Sequence, residues 1–565
     1  MKSFAKKLAL IMATVMVLST FAACGEKAPA ASTEASTEAP ASTETSSSDE
    51  AAASTDAPAT EVADSAEKTL VVGYDTFSSK FSPFFATSAY DQDAAAMVTL
   101  SMLNSDREGN VVTKGVNGEV RPFNGTDYTY YAISDLDVVE NADGTVDYTF
   151  KMRDDVKFSD GTPVTINDAI FSLYVLCDPT YDGSSTVYAL PIVGMDEYRS
   201  GMDTTFNLLV AAGKDNTDFS LWDEATQTAF WADVEQAGAH FVQDIIDYCV
   251  AAGYATAEDP AASVIALWGF EAPEGATTAE IFDIMLGEYG NDLAAMTEAE
   301  KASTGAEFAD LMENYAAYAT GVETGASADH ISGIVKNDDY SMTIKLSKVD
   351  ATAIYQMDLT VAPMHYYGDA SLYDYDNNKF GFNKGDISIV KDKTTKPLGG
   401  GAYKFVNFEN GVITYEANEN YYLGTPVTKY VQFKETPSTD KLTGVTSGTF
   451  DITDPSMNLE TLKNIKSYNS NGEVSGDVIT TALVDNLGYG YMGISAHNVA
   501  VGETPDSEES KSLRKAFATL FACYRDTVIN SYYGEMASVI QYPISNTSWA
   551  APKPADEGYR LAYSV

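Results

Sequence analysis

Four histidines, His240, His330, His365 and His497, lie far apart along the chain, and none forms the His-Glu-x-x-His pair of a zinc hydrolase. Each reads as a surface or internally satisfied polar residue. Gly399-Gly-Gly401 lacks the Gly-Lys-Ser/Thr continuation that cradles a phosphate, and reads as a turn into which no side chain fits. Gly444-Val-Thr-Ser-Gly448 sets its serine one place late for a nucleophile elbow. Asp451-Ile-Thr-Asp454 offers two carboxylates to a cation but fits a loop turn better. With 82 Asp and Glu residues, any acid–base pair picked from sequence alone would be arbitrary. The expectation is a protein that is not an enzyme and needs no cofactor or metal.

Charge and cysteines narrow the field further. The 35 Lys and Arg leave a formal net charge of −47, which repels nucleic acid, since its binding needs clustered cations against phosphates. No two of Cys24, Cys177, Cys249 and Cys523 stand at metal-ligand or Cys-x-x-Cys spacing. The last three read as small buried apolar residues, with a disulfide between two of them left open.

The first residues carry an address. Lys2, Lys6 and Lys7 precede an apolar run from Leu8 to Ala22, too short to span ~30 Å of hydrocarbon and of signal-peptide length. The run ends in Phe21-Ala-Ala-Cys24, which resembles a bacterial lipobox with Phe21 where leucine is usual. Residues 1–23 are therefore expected to be a lipoprotein signal peptide and Cys24 the lipidated residue; the alternative is an ordinary signal peptide cut after Ala23. Residues 24–68 repeat Ser-Thr-Glu and contain no aromatic residue, so they read as a disordered Ala/Ser/Thr/Glu-rich tether. No later stretch reaches 18 consecutive apolar residues.

A body of this length exceeds one core, so two or more domains are expected. Thr69 to Tyr74 reads as its first strand. The Asn141-Ala-Asp-Gly144 turn is followed by alternating Val146, Tyr148, Phe150 and Met152, a half-buried antiparallel strand. After the turn Phe158-Ser-Asp-Gly-Thr-Pro163, Thr165 and Asp168 form a capping pair for a helix with Ile166, Ile170 and Leu173 on its apolar face, ended by Pro179. Tyr340, Met342, Ile344 and Leu346 alternate as a second strand, and Asn410-Gly411 marks a hairpin tip. Leu513, Ala516, Phe517, Leu520, Phe521 and Tyr524 fall at helical spacing behind an Asp506…Glu509 capping box. Residues of about 195–328 show helical periodicity, as in Phe230, Val234, Ala237, Phe241, Ile245 and Tyr248, with Trp222, Trp231 and Trp268 expected to be buried within it.

The stretch DYTFKMRDDVKFSDGTPVTINDAIFSLYVLCDP (147–179) resembles the signature of the bacterial extracellular solute-binding proteins, family 5, the dipeptide- and oligopeptide-binding components of ABC importers. So do the strand that follows His330-Ile-Ser-Gly-Ile-Val-Lys-Asn-Asp-Asp339, the run Pro397-Leu-Gly-Gly-Gly-Ala-Tyr-Lys-Phe405, Asn418-Glu-Asn-Tyr-Tyr422 (where the family usually has Trp at the last position) and Ser512-Leu-Arg-Lys-Ala-Phe517. The resemblance implies an α/β fold, two-lobed and periplasmic-binding-protein-like (class II), with a helical insertion in the first lobe at about 195–328. It places the first lobe over 69–485 and a hinge strand with the start of an incomplete second lobe over 486–565. It further implies a monomer that captures a peptide or similar small solute and passes it to an ABC permease. Its membrane contact would come only through the N-terminal lipid, on the outer face of the bacterial cell membrane or in the periplasm. Asn486-Leu-Gly-Tyr-Gly-Tyr491 is similar to the family's hinge strand, which implies that Tyr489 and Tyr491 face ligand; Phe77, Ser78 and Phe81 match its cleft-mouth loop. A secreted carbohydrate-active enzyme or sugar-binding protein is the alternative, and the absence of repeats in the body argues against a surface adhesin.

Overall fold

The structure, a computed structural model, describes residues 68–561 apart from 124, 303, 304, 484–486 and 503. The signal-like segment, Cys24, nearly all of the tether and Asn486 lie outside the described residues. The chain divides into two compact units, one of 66–230 with 314–565 and one that contains 231–313.

In chain order the elements used below are β1 (Leu70–Tyr74), α1 (Ala89–Ala96), β2 (Ser134–Glu140), β3 (Val146–Met152), α2 (Ile166–Cys177), α3 (Glu224–Ala251), β4 (Ile334–Asp338) and β5 (Ser341–Leu346). They continue with β6 (Tyr403–Glu409), β7 (Val412–Ala417), β8 (Tyr430–Glu435), α4 (Lys441–Ser447), β9 (Ile452–Thr453), α5 (Leu459–Tyr468) and α6 (Glu508–Tyr533).

The larger unit contains two principal sheets. One is antiparallel in the order β4-β5-β3-β2, with Tyr148 opposite Ile344 and Phe150 between Met342 and Leu136. Val146, Tyr148, Phe150 and Met152 are all buried, as the alternation predicts, and Gly144 turns the hairpin at φ 86°. Helix α2 is buried on nearly every side, which explains an apolar sequence with little polar face. Its start is held by Asp168, whose carboxylate accepts from the Thr165 amide at 2.9 Å and the Met364 amide at 3.1 Å. Its far half stacks Tyr174 on Phe380 at 3.5 Å between ring centroids.

The second sheet is mixed, in the order β6-β7-β8-β1-β9, with β1 parallel to both β8 and β9. The β6–β7 hairpin turns through Asn410 at φ 53° and Gly411 at φ 72°, the doubly left-handed pair that suits strand twist. Asp451-Ile-Thr-Asp454 is not a turn: Ile452 and Thr453 are β9, and Asp451 accepts from the Val71 amide at 3.0 Å. The strand is too short to show an alternation.

Gly399 to Gly401 press against the backbone at Val98 to Leu100. A β-carbon at Gly399 would stand 2.3 Å from the Val98 carbonyl oxygen, and one at Gly400 2.4 Å from Leu100 Cδ1. The triplet is a close crossing of two chain segments.

In the smaller unit, the later part of α3 is joined by helices Ala261–Trp268, Thr278–Glu288 and Leu293–Glu300. Phe282 stacks on Phe308, and the buried Glu300 carboxylate accepts from Trp268 Nε1 at 2.9 Å and from the Tyr289 hydroxyl at 2.5 Å. Trp231 is buried as expected, whereas Trp222 and Trp268 keep part of their surface. Cys177 and Cys249 are buried free thiols, but Cys523 is exposed on α6, contrary to the apolar reading. That helix is capped by Ser507, which accepts from the Ser510 amide, one residue later than the Asp506 box predicts. Its apolar face is largely open, with Leu520, Phe521 and Tyr524 exposed.

Replacing Gly399 by alanine should lower stability by about 2–4 kcal/mol, because backbone oxygen cannot give way as a side chain can. Gly287, in a helix with open space at its β-carbon position, should instead gain about 0.5–1 kcal/mol on the same change. Thermal unfolding of the two variants beside the parent checks both signs.

Candidate functional site

Strands β8, β1 and β9 run parallel, so Glu435, Tyr74 and Thr453 end at one edge of the mixed sheet. The carboxyl ends of parallel strands are where open α/β sheets place ligands, because the chain must leave there in loops. Three segments leave this edge: 75–88 towards α1, 436–440 towards α4, and 454–458 towards α5.

The first of these loops is fixed from beneath by two carboxylates, one buried and one half-buried. Asp91 on α1 has no exposed surface, and its oxygens accept from the Ser78 amide at 3.1 and 3.2 Å and from the Lys80 amide at 3.4 Å. Burial raises its pKa in spite of those bonds. Glu435, at the end of β8, accepts from the Phe77 amide at 2.9 Å. Phe77 and Phe81 then turn inward and pack edge-on against Phe408, at 5.9 and 5.3 Å. Of the three loop residues expected at a cleft mouth, Phe77 and Phe81 are therefore core, and Ser78 alone is exposed. A sequence shows that a loop phenylalanine is apolar but not which way it turns.

Lys441 sits at the centre of the edge. Its side chain is 3% exposed, and its ammonium lies 2.8 Å from the Asp454 carboxylate, 3.7 Å from Asp75 and 3.5 Å from the Tyr90 hydroxyl. Burial alone would lower its pKa; Asp454 beside it more than restores it, so the charge is kept. Asp93 is pushed up by burial and then by Asp454. Tyr74, stacked on Phe433 at 4.4 Å and edge-on to Tyr90 at 5.4 Å, is raised by burial and by Asp93 and Asp454. These hydroxyls stay protonated at neutral pH, as donors rather than proton carriers. Sequence reasoning missed Lys441, because one lysine among many carries no spacing signal.

Tyr489 and Tyr491 are 45% and 85% exposed, with rings 6.3 Å apart. They lie in an irregular stretch and not in the hinge strand that the resemblance implies; Gly488, Gly490 and Gly493 interrupt any ladder there. Leu487 packs beside the turn at Gly109. His365 is satisfied by Asp160 at 2.7 Å, as the reading of the histidines expects.

A model of the bacterial extracellular solute-binding proteins, family 5 Middle, matches residues 133–225 and 291–564, more than half of the chain. The chain belongs to this family. The family 5 match passes over 226–290, inside the stretch read as an insertion. Oligopeptide-binding protein AppA of Bacillus subtilis is 24% identical over 241 residues, 41% of this chain and 38% of that protein. The solved AppA of Bacillus subtilis in complex with a nonapeptide is similar with a TM-score of 0.39 and 15% identity, covering 86% of this chain and 60% of that one. Haemophilus influenzae OppA in complex with RPPGFSPFR gives a TM-score of 0.33 and 16% identity over 71% and 48%. The chain thus spans less than two thirds of the length of each of these relatives. Among the described residues no helix is long and apolar enough to cross a membrane.

Asp91→Ala should cost about 1–3 kcal/mol at neutral pH, because the Ser78 and Lys80 amides lose their acceptor. Asp91→Asn tests the sign of the raised pKa. The folded parent holds this proton to higher pH than the unfolded chain, so its contribution is full below the ordinary carboxylate range and is lost as pH rises through the raised value. Unfolding free energy against pH should be flatter in the asparagine variant just above pH 3.8.

Proposed function

We propose that this family 5 protein is the extracytoplasmic solute-binding component of an ABC importer, capturing peptides and presenting them to a membrane permease without catalysis. The observation that carries the reading is the family match over more than half of the chain. The name of AppA as an oligopeptide-binding protein supports peptide as the ligand class. The sheet edge supports binding over chemistry, since its ammonium is held in an ion pair and its tyrosines hold their protons.

In this reading Ser78 offers its exposed side chain above a loop fixed by Asp91 and Glu435, with Phe77 and Phe81 as the packed floor. Tyr489 and Tyr491 supply paired aromatic surface with hydroxyl groups, suited to stack on a peptide while bonding its backbone. The protein acts as a monomer on the outer face of the membrane, tied by lipid on Cys24 through the segment 24–68. Residues 195–328 are the helical insertion of the first lobe in this account.

Peptides should copurify with the protein and be released on denaturation for mass spectrometry; protein that carries none and shows no heat on titration with a peptide pool would end the proposal. Where binding is seen, Tyr489→Ala with Tyr491→Ala should weaken it about tenfold or more, a loss of ~1.4 kcal/mol. Cys24→Ala should move the protein from the membrane fraction to the soluble fraction. Unchanged membrane association in that variant would remove the lipid anchor from the account.

A further inference from the structure

Lys441 is the first residue of α4, directly after the turn Ser438–Asp440. A cation is disfavoured there, because the first turn of a helix presents unpaired N–H groups and the positive end of the dipole. It is also almost fully buried, which lysine tolerates only when paired. Local structure therefore gives no reason for this residue. Tertiary structure does.

Its ammonium reaches groups on three separate segments. Asp75 is the first residue after β1, Asp454 the first after β9, and Tyr90 lies on α1. With Asp454 it meets both the carboxylate at 2.8 Å and the main-chain carbonyl at 3.4 Å, so it holds the backbone as well as the side chain. It also stands 5.3 Å from the centre of the Tyr90 ring. Asp75 and Asp454 remain 39% and 57% exposed, so neither is trapped without its partner: both can turn to water. The arrangement is asymmetric, a buried cation gripping acidic residues at the rim.

We infer that Lys441 is a latch for the sheet edge, a positioning residue that holds the loop after β1 and the chain leaving β9 in one arrangement. Its loss frees those two segments locally and leaves the sheets folded. The inference extends the peptide-binding reading, because the loop it holds carries Ser78, but its first test does not require a ligand.

That test is amide hydrogen exchange on the full chain and on Lys441→Met and Lys441→Arg. Methionine keeps most of the volume and removes the charge; arginine keeps the charge. In Lys441→Met, protection over 75–91 and 451–458 should fall at least tenfold, while 146–152 of β3 stays within threefold of the parent. Lys441→Arg should stay within threefold throughout. Unchanged exchange in Lys441→Met would overturn the latch. So would an equal loss over β3, which signals general destabilisation, or a loss in Lys441→Arg as large as in Lys441→Met. A second arm measures retention of a pool of random nonapeptides on immobilised protein. If the parent retains peptides, Lys441→Met should retain at least tenfold less, and equal retention would refute the positioning role. A parent that retains none counts against the transport reading, while the exchange result still decides the latch.

Discussion

Strand β1 is bonded on both sides to strands that occur far later in the sequence. The Val71 amide reaches Asp451 across 380 residues, and β8 flanks the other side from Tyr430 onward. A parallel pair cannot be closed by a tight turn, so the chain must make an excursion between its members. Here that excursion includes the whole four-stranded sheet, α2 and the helical segment. The pairing of β1 with β8 and β9 therefore carries a loop-closure cost that the neighbouring strands β6, β7 and β8 do not. Local order in β2–β3 and α2 requires none of it.

The same constraint explains where charge collects. Three parallel strands end at one edge, so three loops begin there, each with backbone groups that no strand neighbour pairs. Carboxylates take up amides of the first loop, through the buried Asp91 and the half-buried Glu435. A buried ammonium takes up the carbonyl and carboxylate of Asp454. Polar groups in such positions are costly if left alone and strongly orienting when paired. Their arrangement turns a place where the fold has to be irregular into one where it has a defined shape.

The elements that were legible in the sequence are those built from near neighbours. Val146 to Met152 and Met342 to Leu346 show period-2 alternation because each strand has a buried face, and Asn410-Gly411 names its own turn. Thr165 and Asp168 fix the helix start through a bond three residues long. What was not legible depends on distant partners. β9 is a strand only because β1 lies beside it, and from its own residues it reads as a turn. Phe77 and Phe81 became core because Phe405 and Phe408 cover them from another strand, a fact absent from their own loop. Lys441 is the extreme case: it is unremarkable in composition and set against its own helix, so only the three segments around it give it meaning.

The helical segment follows the same logic in reverse. Met202–Thr204 and Gly321–Glu323 pair antiparallel, with Thr204 opposite Gly321, so the chain between them starts and ends at adjacent points. The Thr205 amide donates to the Thr320 carbonyl at 3.0 Å and closes the neck. Once such a neck is fixed, lengthening the chain between its ends adds little entropy cost, since closure grows only with the logarithm of loop length. The residues beyond the neck have their own internal core, with Phe241 against Phe308 and Phe308 on Phe282. Tyr315 adds a second tie beside the neck, donating to the Asp182 carboxylate at 2.9 Å. The parallel edge at β1 is set by register instead, because Leu70 to Tyr74 must lie beside Val431 to Glu435 and Val72 and Gly73 beside Ile452 and Thr453.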